Sequence, residues 1–178
     1  MMSNIKKKFE SLTMKRDALL QKLSSLSAEE LNFKAGSDNW SVVEVVEHLV
    51  IVEDDLLHQI FRNMMDSLLD NSLKSPEKYK TVIKVMERDI PVDVPDERAK
   101  PQGRLTLNEL LSQWENIRQK LHELLNGMNP ENKDSLVYRH PFAGPLDISE
   151  TLHFFDAHFD NHMRHIDRII AETKRYAL

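Results

Sequence analysis

An all-α protein built as a four-helix bundle is expected from three properties of this chain. Apolar residues recur at helical spacing through four long segments. Three of those segments open on a capping-box pair. Alternating runs of strand type are scarce, and the 178 residues contain only four glycines, of which Gly36, Gly103 and Gly144 fall in expected loops.

The first helix is expected over about Asn4 to Leu23, where Ile5, Phe9, Leu12, Leu19 and Leu23 share one stripe. Ser27, with Glu30 three residues on, starts a short turn. The second opens on the box Ser41 and Glu44, with Trp40 placed to pack back as a staple. Its stripe of Val42, Val45, Leu49, Val52, Leu56 and Ile60 carries it to about Leu69. A long connection from Asp70 to Arg104 holds Pro76, Pro91, Pro95 and Pro101. Ser75 and Pro76 begin a minor helix running to about Arg88, with irregular chain after it. The third helix starts at Thr106, with Glu109 in the box position. It carries Leu107, Leu110, Leu111, Trp114, Ile117, Leu121 and Leu124 and stops near Asn126 and Gly127. A loop with Pro130, Pro141, Gly144 and Pro145 leads to the fourth, capped by Asp147 with Glu150. The short connection between the first two helices makes them antiparallel and the long one lets the second and third run parallel, which gives up-down-down-up. The length suits one domain, residues 1–178, with a sizeable core.

Composition narrows the function classes. A formal charge of −5, with Lys and Arg scattered, offers no nucleic-acid surface. The absence of cysteine excludes disulfides, thiolate metal sites and a cysteine nucleophile. No apolar run follows the basic N-terminus and none reaches about 18 residues, so neither a secretory signal nor a membrane span is expected. A cytoplasmic location is the default. Glycine-rich phosphate loops, the G-x-S-x-G elbow and the dinucleotide fingerprint do not occur.

The histidines carry the chemistry. His158 and His162 are four apart on the fourth helix and therefore stand on one face. On a wheel of about 100° per residue, Phe155, Ile166 and Ile169 fall within roughly 40° of His162, inside the apolar arc. One such imidazole is usually a satisfied core residue; two in register fit a pair of nitrogens converging on one metal ion. His48 lies on the flank of the second helix's stripe, beside Glu44, Ile51 and Asp55. Alone it reads as a half-exposed polar residue; joined to the pair it reads as a third ligand. His165, three residues after His162, is open to three roles: a ligand, a group that hydrogen-bonds behind one, or a rim residue, with the last two ranked first. Asp55 is the candidate to orient His48 or a bound water, a solvated carboxylate being the plain alternative. Glu150 with His153, and Asp55 with His58, repeat the carboxylate-x-x-His spacing of di-iron bundles. The first and third helices supply no core-facing acid to complete such a site. His122 and Glu123 open a zincin pattern that fails at Asn126. His140, in a loop before proline, is expected at the pocket mouth.

Trp40 to Glu44 followed by Glu47, His48 and Leu49 resembles the entry to the second helix of the DinB-like (DinB/YfiT) superfamily. His140 to Leu152 resembles that family's loop into its last helix, and Ala157 to Ile166 resembles its terminal signature. The motifs are short, but together they follow the family's order and spacing along the chain. The resemblance implies an up-down-down-up four-helix bundle, often a homodimer. It implies a divalent metal, usually zinc, nickel or iron, bound by His48, His158 and His162. Members include metal-dependent hydrolases and transferases that activate a low-molecular-weight thiol such as bacillithiol or mycothiol. Others have no known activity, and some lack metal. The chain departs from the pattern at His165, where glutamine is common.

An ion on three neutral imidazoles keeps open positions, and water bound there has its pKa lowered towards about 7. Two readings follow: a hydrolase or thiol S-transferase acting on a small molecule, or a non-catalytic bundle whose metal site is structural or vestigial.

Overall fold

The structure is a computed structural model that describes residues 3–66, 69–88 and 96–176. Among these residues, six α-helices and one hairpin follow in the order α1 (Ser3–Leu23), α2 (Ala28–Asn32), α3 (Val42–Asp66), α4 (Pro76–Glu87), α5 (Leu107–Gly127), β1 (Leu136–His140), β2 (Gly144–Asp147) and α6 (Ile148–Tyr176). The second expected helix is helical to Asp66, and Leu69, its expected end, is not helical; Ser67 and Leu68 between them, and Pro91 and Pro95 of the long connection, lie outside the described residues.

Local sequence sets where the helices start. At α3 the Ser41 amide donates to Glu44 Oε2 (2.7 Å) and the Glu44 amide to Ser41 Oγ (3.2 Å). The same reciprocal pair opens α6 through Asp147 and Glu150, at 3.1 and 2.9 Å. Ser27 with Glu30 and Thr106 with Glu109 do so for α2 and α5. Each box satisfies two amides that the first turn leaves without a helical partner. Ser75 caps α4, whose first residue is Pro76. At the end of α5, Gly127 is still helical and Met128 is extended, so no left-handed cap is used.

The apolar stripes meet in one core. Every residue of the first stripe is buried, as are Val42, Val45, Leu49, Leu56 and Ile60 of α3. On α5 the buried line is Leu110, Trp114, Ile117, Leu121 and Leu125, so Leu107, Leu111 and Leu124 sit at its flanks.

Polar contacts give the helix directions. Lys8 bonds Ser149, Lys15 pairs with Asp156 and Asp160, and Lys22 pairs with Asp167. The contacts advance together along α1 and α6, so these helices run in the same direction. α3 lies the other way along α6, with His48 beside His158 and Asn63 beside Val137 just before α6.

The hairpin corrects the expectation of a plain loop before the last helix. Its strands pair antiparallel, with Tyr138 opposite Leu146 and a bulge between Leu136 and Tyr138. The bulge buries Val137 and Tyr138 in succession. Two adjacent inward residues erase the period-2 signal that would mark a strand. The hairpin docks on α3: Asn63 Nδ2 donates to the Val137 carbonyl (3.0 Å) and the Arg139 amide to Gln59 Oε1 (2.9 Å). Gly144 turns the chain at φ 80°, and a Cβ there would stand 2.9 Å from the Leu73 carbonyl oxygen. Gly144→Ala is therefore expected to cost about 1–3 kcal/mol, read as a lower midpoint in urea; an unchanged midpoint would refute this account.

Candidate metal centre

α3 delivers one imidazole and α6 two. His48 sits one and a half turns into α3, where the buried run Val45–Val50 turns it inward. His158 and His162 lie a turn apart on the face of α6 that also buries Phe155, Ile166 and Ile169. All three are buried, at 3%, 7% and 9% exposure respectively. His48 Nε2 is 3.2 Å from His158 Nε2, which is 3.1 Å from His162 Nε2. Among the described residues this is the group of histidines and carboxylates whose donor atoms could hold a metal ion, all within 4.8 Å of one another.

The His48 tautomer follows from its partner. Nδ1 lies 2.7 Å from the Ala99 carbonyl oxygen. A carbonyl only accepts, so Nδ1 carries the hydrogen and Nε2 presents a lone pair to the other two rings. One hydrogen on His158 Nε2 can satisfy a contact to His48 or to His162, but not both. His162 Nδ1 is buried with no hydrogen-bond partner among the described residues.

Electrostatics hold the rings neutral. Burial lowers the His48 pKa below 6.5, the Ala99 carbonyl opposing and the His165 charge adding to the fall. His158 and His162 lie well below 6.5, chiefly through burial and then through repulsion from neighbouring imidazoles. Neutral imidazole is the form that binds metal.

The surroundings answer the other expectations. Asp55 does not orient His48: it is exposed and accepts from Gln59 Nε2 at 2.7 Å, while Ala99 takes the Nδ1 position. His165 is half-buried, its ring centroid 6.3 Å from both His162 and Trp40. Trp40 lies across His48, centroids 5.2 Å apart, a placement that its expected role as a staple did not include.

His140 stands at the end of β1, its Nδ1 accepting from the Phe142 and Ala143 amides at 3.1 and 3.0 Å. It meets Phe154 edge-on at 4.6 Å, and Phe154 is 5.5 Å from His158, so one aromatic ring separates it from the three. Burial lowers its pKa to about 4.

The di-iron spacing brings nothing together. His58 and His153 are exposed, His58 near Asp54 (3.6 Å) and His153 against the Tyr79 hydroxyl (2.7 Å). His122 is exposed as well, near Asn126 and stacked on Phe9. A groove of about 170 Å³ between α4 and α6, lined by Met86, Glu87, His153, Asp156, Asp160 and Arg164 among others, includes none of the three central histidines.

Two residues at the site have a role that the sequence does not assign. Ala99 acts through a backbone carbonyl, which any residue type supplies. Glu47 is buried at 4% exposure and accepts the Gly103 amide at 2.8 Å, but the motif that contains it on the sequence assigns it no role.

The family comparison covers the elements that build this centre. No curated protein matches the chain. The family model described as the DinB superfamily matches residues 11–166, from the first turns of α1 through all three histidines, and the chain belongs to that superfamily.

Proposed function

We propose that His48, His158 and His162 hold one divalent metal ion and that the chain is a metal-dependent enzyme, a hydrolase or low-molecular-weight-thiol S-transferase. The observation that carries this reading is the buried convergence of three imidazoles, with His158 Nε2 3.2 Å from His48 Nε2 and 3.1 Å from His162 Nε2 and the three donor atoms within 4.8 Å of one another. Nitrogens each about 2.1 Å from one ion stand roughly 3.0 Å apart at right angles and roughly 3.4 Å apart at tetrahedral angles. The two Nε2 spacings from His158 lie between these. A shared cation also relieves the lone-pair contact that a single hydrogen leaves. Zinc, nickel and iron all suit an imidazole set. When bound, such an ion supplies Lewis acidity and lowers the pKa of a coordinated water or thiol. The chain's own residues orient the rings, keep them neutral and limit water around them.

The same proposal includes a single domain over residues 1–178, with α1, α3, α5 and α6 in up-down-down-up order. The parallel advance of contacts along α1 and α6 supports that order. It also includes a small-molecule substrate, a homodimeric state and a cytoplasmic location. No described helix is long and apolar enough to cross a membrane.

Elemental analysis of the purified protein tests the metal, with one equivalent per chain expected, lost in His158→Ala. Unchanged metal content in that variant would remove the assignment. Turnover is tested by incubating the metal-loaded protein with an electrophile and a panel of thiols, and with ester and amide substrates. A metal-dependent rate is expected, and its absence throughout would favour a non-catalytic bundle.

A further inference from the structure

We propose that Glu47 is a positioning residue: by holding the Gly103 amide it fixes the 96–103 strap, so that the Ala99 carbonyl keeps His48 in the tautomer whose Nε2 lone pair faces His158 and His162. This rests on the metal reading above and assigns the device that prepares one ligand for it.

The strap is short and has its own internal order. Asp96 caps the turn Glu97–Ala99, and the Ala99 and Lys100 amides bond back to Asp96 and Glu97 at 2.9 and 3.2 Å. Two side-chain hydrogen bonds tie it to α3, and they come from consecutive residues. Glu47 Oε2 accepts the Gly103 amide at 2.8 Å, and His48 Nδ1 donates to the Ala99 carbonyl at 2.7 Å. Gly103 adopts φ 63°, a left-handed turn that glycine allows without strain. A Cβ at Gly103 would meet nothing within 4 Å, so packing does not explain that conformation. The direction in which the turn sends its amide does explain it.

The cost of Glu47 points the same way. A carboxyl group at 4% exposure gives up hydration, and its hydrogen bond goes to a loop amide that water could otherwise serve. Burying it is accounted for if the strap must be held. Without that anchor, the His48 bond is the one side-chain hydrogen bond from the strap to α3 that remains among the described residues. The imidazole then recovers its other tautomer, with a hydrogen on Nε2 aimed at the centre where a lone pair is needed. Groups that orient a ligating histidine in this way typically change metal affinity by about 10–100-fold.

Two variants separate reach from charge. Glu47→Gln keeps an acceptor oxygen at the same reach, whereas Glu47→Asp keeps the carboxylate but is one methylene short. The first readout is the His48 tautomer in the metal-free protein, from 15N shifts of the ring nitrogens. The second is zinc affinity by competition with a chromophoric chelator. Wild-type protein and Glu47→Gln are expected to hold His48 with hydrogen on Nδ1. Glu47→Asp is expected to give a tautomer mixture and zinc binding about 10–100-fold weaker. A folded Glu47→Asp protein with the wild-type tautomer and affinity would overturn the proposal, since a merely structural role lowers the melting point without moving either readout. If Glu47→Asp does not fold, amide exchange in the wild-type protein decides: a protected Gly103 amide supports the clamp, and exchange at the rate of an open loop rejects it. Should wild-type protein bind no zinc, the metal reading fails while the tautomer measurement still judges Glu47.

Discussion

Arg118→Ala is expected to lower the unfolding free energy by about 3–5 kcal/mol, the cost typical of stranding one partner of a buried ion pair. Glu53 on α3 and Arg118 on α5 are 3% and 5% exposed. Glu53 Oε2 accepts from Arg118 Nε at 2.6 Å and from Trp114 Nε1 at 2.7 Å, while Oε1 accepts a second guanidinium nitrogen at 2.5 Å. The bidentate geometry fixes both rotation and rise of α5 against α3. Truncating the arginine leaves a buried carboxylate with one indole donor, and it strips the guanidinium from the face of Phe9, 6.0 Å from the ring centroid. In a chain of this size the melting point should fall on the order of 10 °C. Removing both charges is a different experiment. Because Arg118 Nη1 is already buried without a hydrogen-bond partner among the described residues, Glu53→Gln with Arg118→Met should recover much of the loss. Urea titrations of the two single variants and the double variant measure this. A single-variant loss under about 1 kcal/mol would mean that the pair is more hydrated than its burial indicates.

That network shows why the fold was more legible than its polar interior. Helical stripes, caps and the i, i+4 histidine pair are local patterns, and local patterns survive translation into structure. The Ser41–Glu44 and Asp147–Glu150 boxes formed where the sequence put them. Leu125 was missed because a straight helix drifts against a fixed stripe, so by the fifth turn the buried position had moved one residue past Leu124. The hairpin was missed because its bulge places Val137 and Tyr138 inward together. Glu53 and Arg118 look on the sequence like any charges on a solvated helix face, and only the meeting of α3 with α5 makes them a pair. His48 was placed by its neighbours on α3, but what orients it is a carbonyl 51 residues further on. A carbonyl has no residue type, so Asp55 was the nearest group that the sequence could offer, and it faces solvent.

The metal-free protein should lose stability steeply as the pH falls below 6.5. His140 is the clearest case, since burial lowers its pKa from 6.5 to about 4. Between those values the unfolded chain takes a proton that the folded chain refuses, so protons bound in the unfolded state exceed those bound in the native state. Stability then falls with falling pH by up to about 1.4 kcal/mol per pH unit for each such group. For His140 alone the loss by pH 4 is about 3 kcal/mol. His48, His158 and His162 are shifted in the same direction by burial, and His158 and His162 further. All four histidines therefore act in the same sense as the pH falls, against a typical margin of about 5–15 kcal/mol. Glu44, raised by burial but drawn below its ordinary 4.5 by the Ser41 amide and Lys34, begins to act only beneath that value. The interval from about 4.5 to 6.5 therefore belongs to the imidazoles, and above it they cost nothing. Urea denaturation at several pH values measures the slope, which His140→Gln should reduce by about one proton. Zinc should raise stability near neutrality and lose its effect in acid, because protons compete for the same nitrogens. A stability that stays level from pH 6.5 to 5 without metal would mean that these rings are protonated in the folded state, and three charged imidazoles could not share an ion.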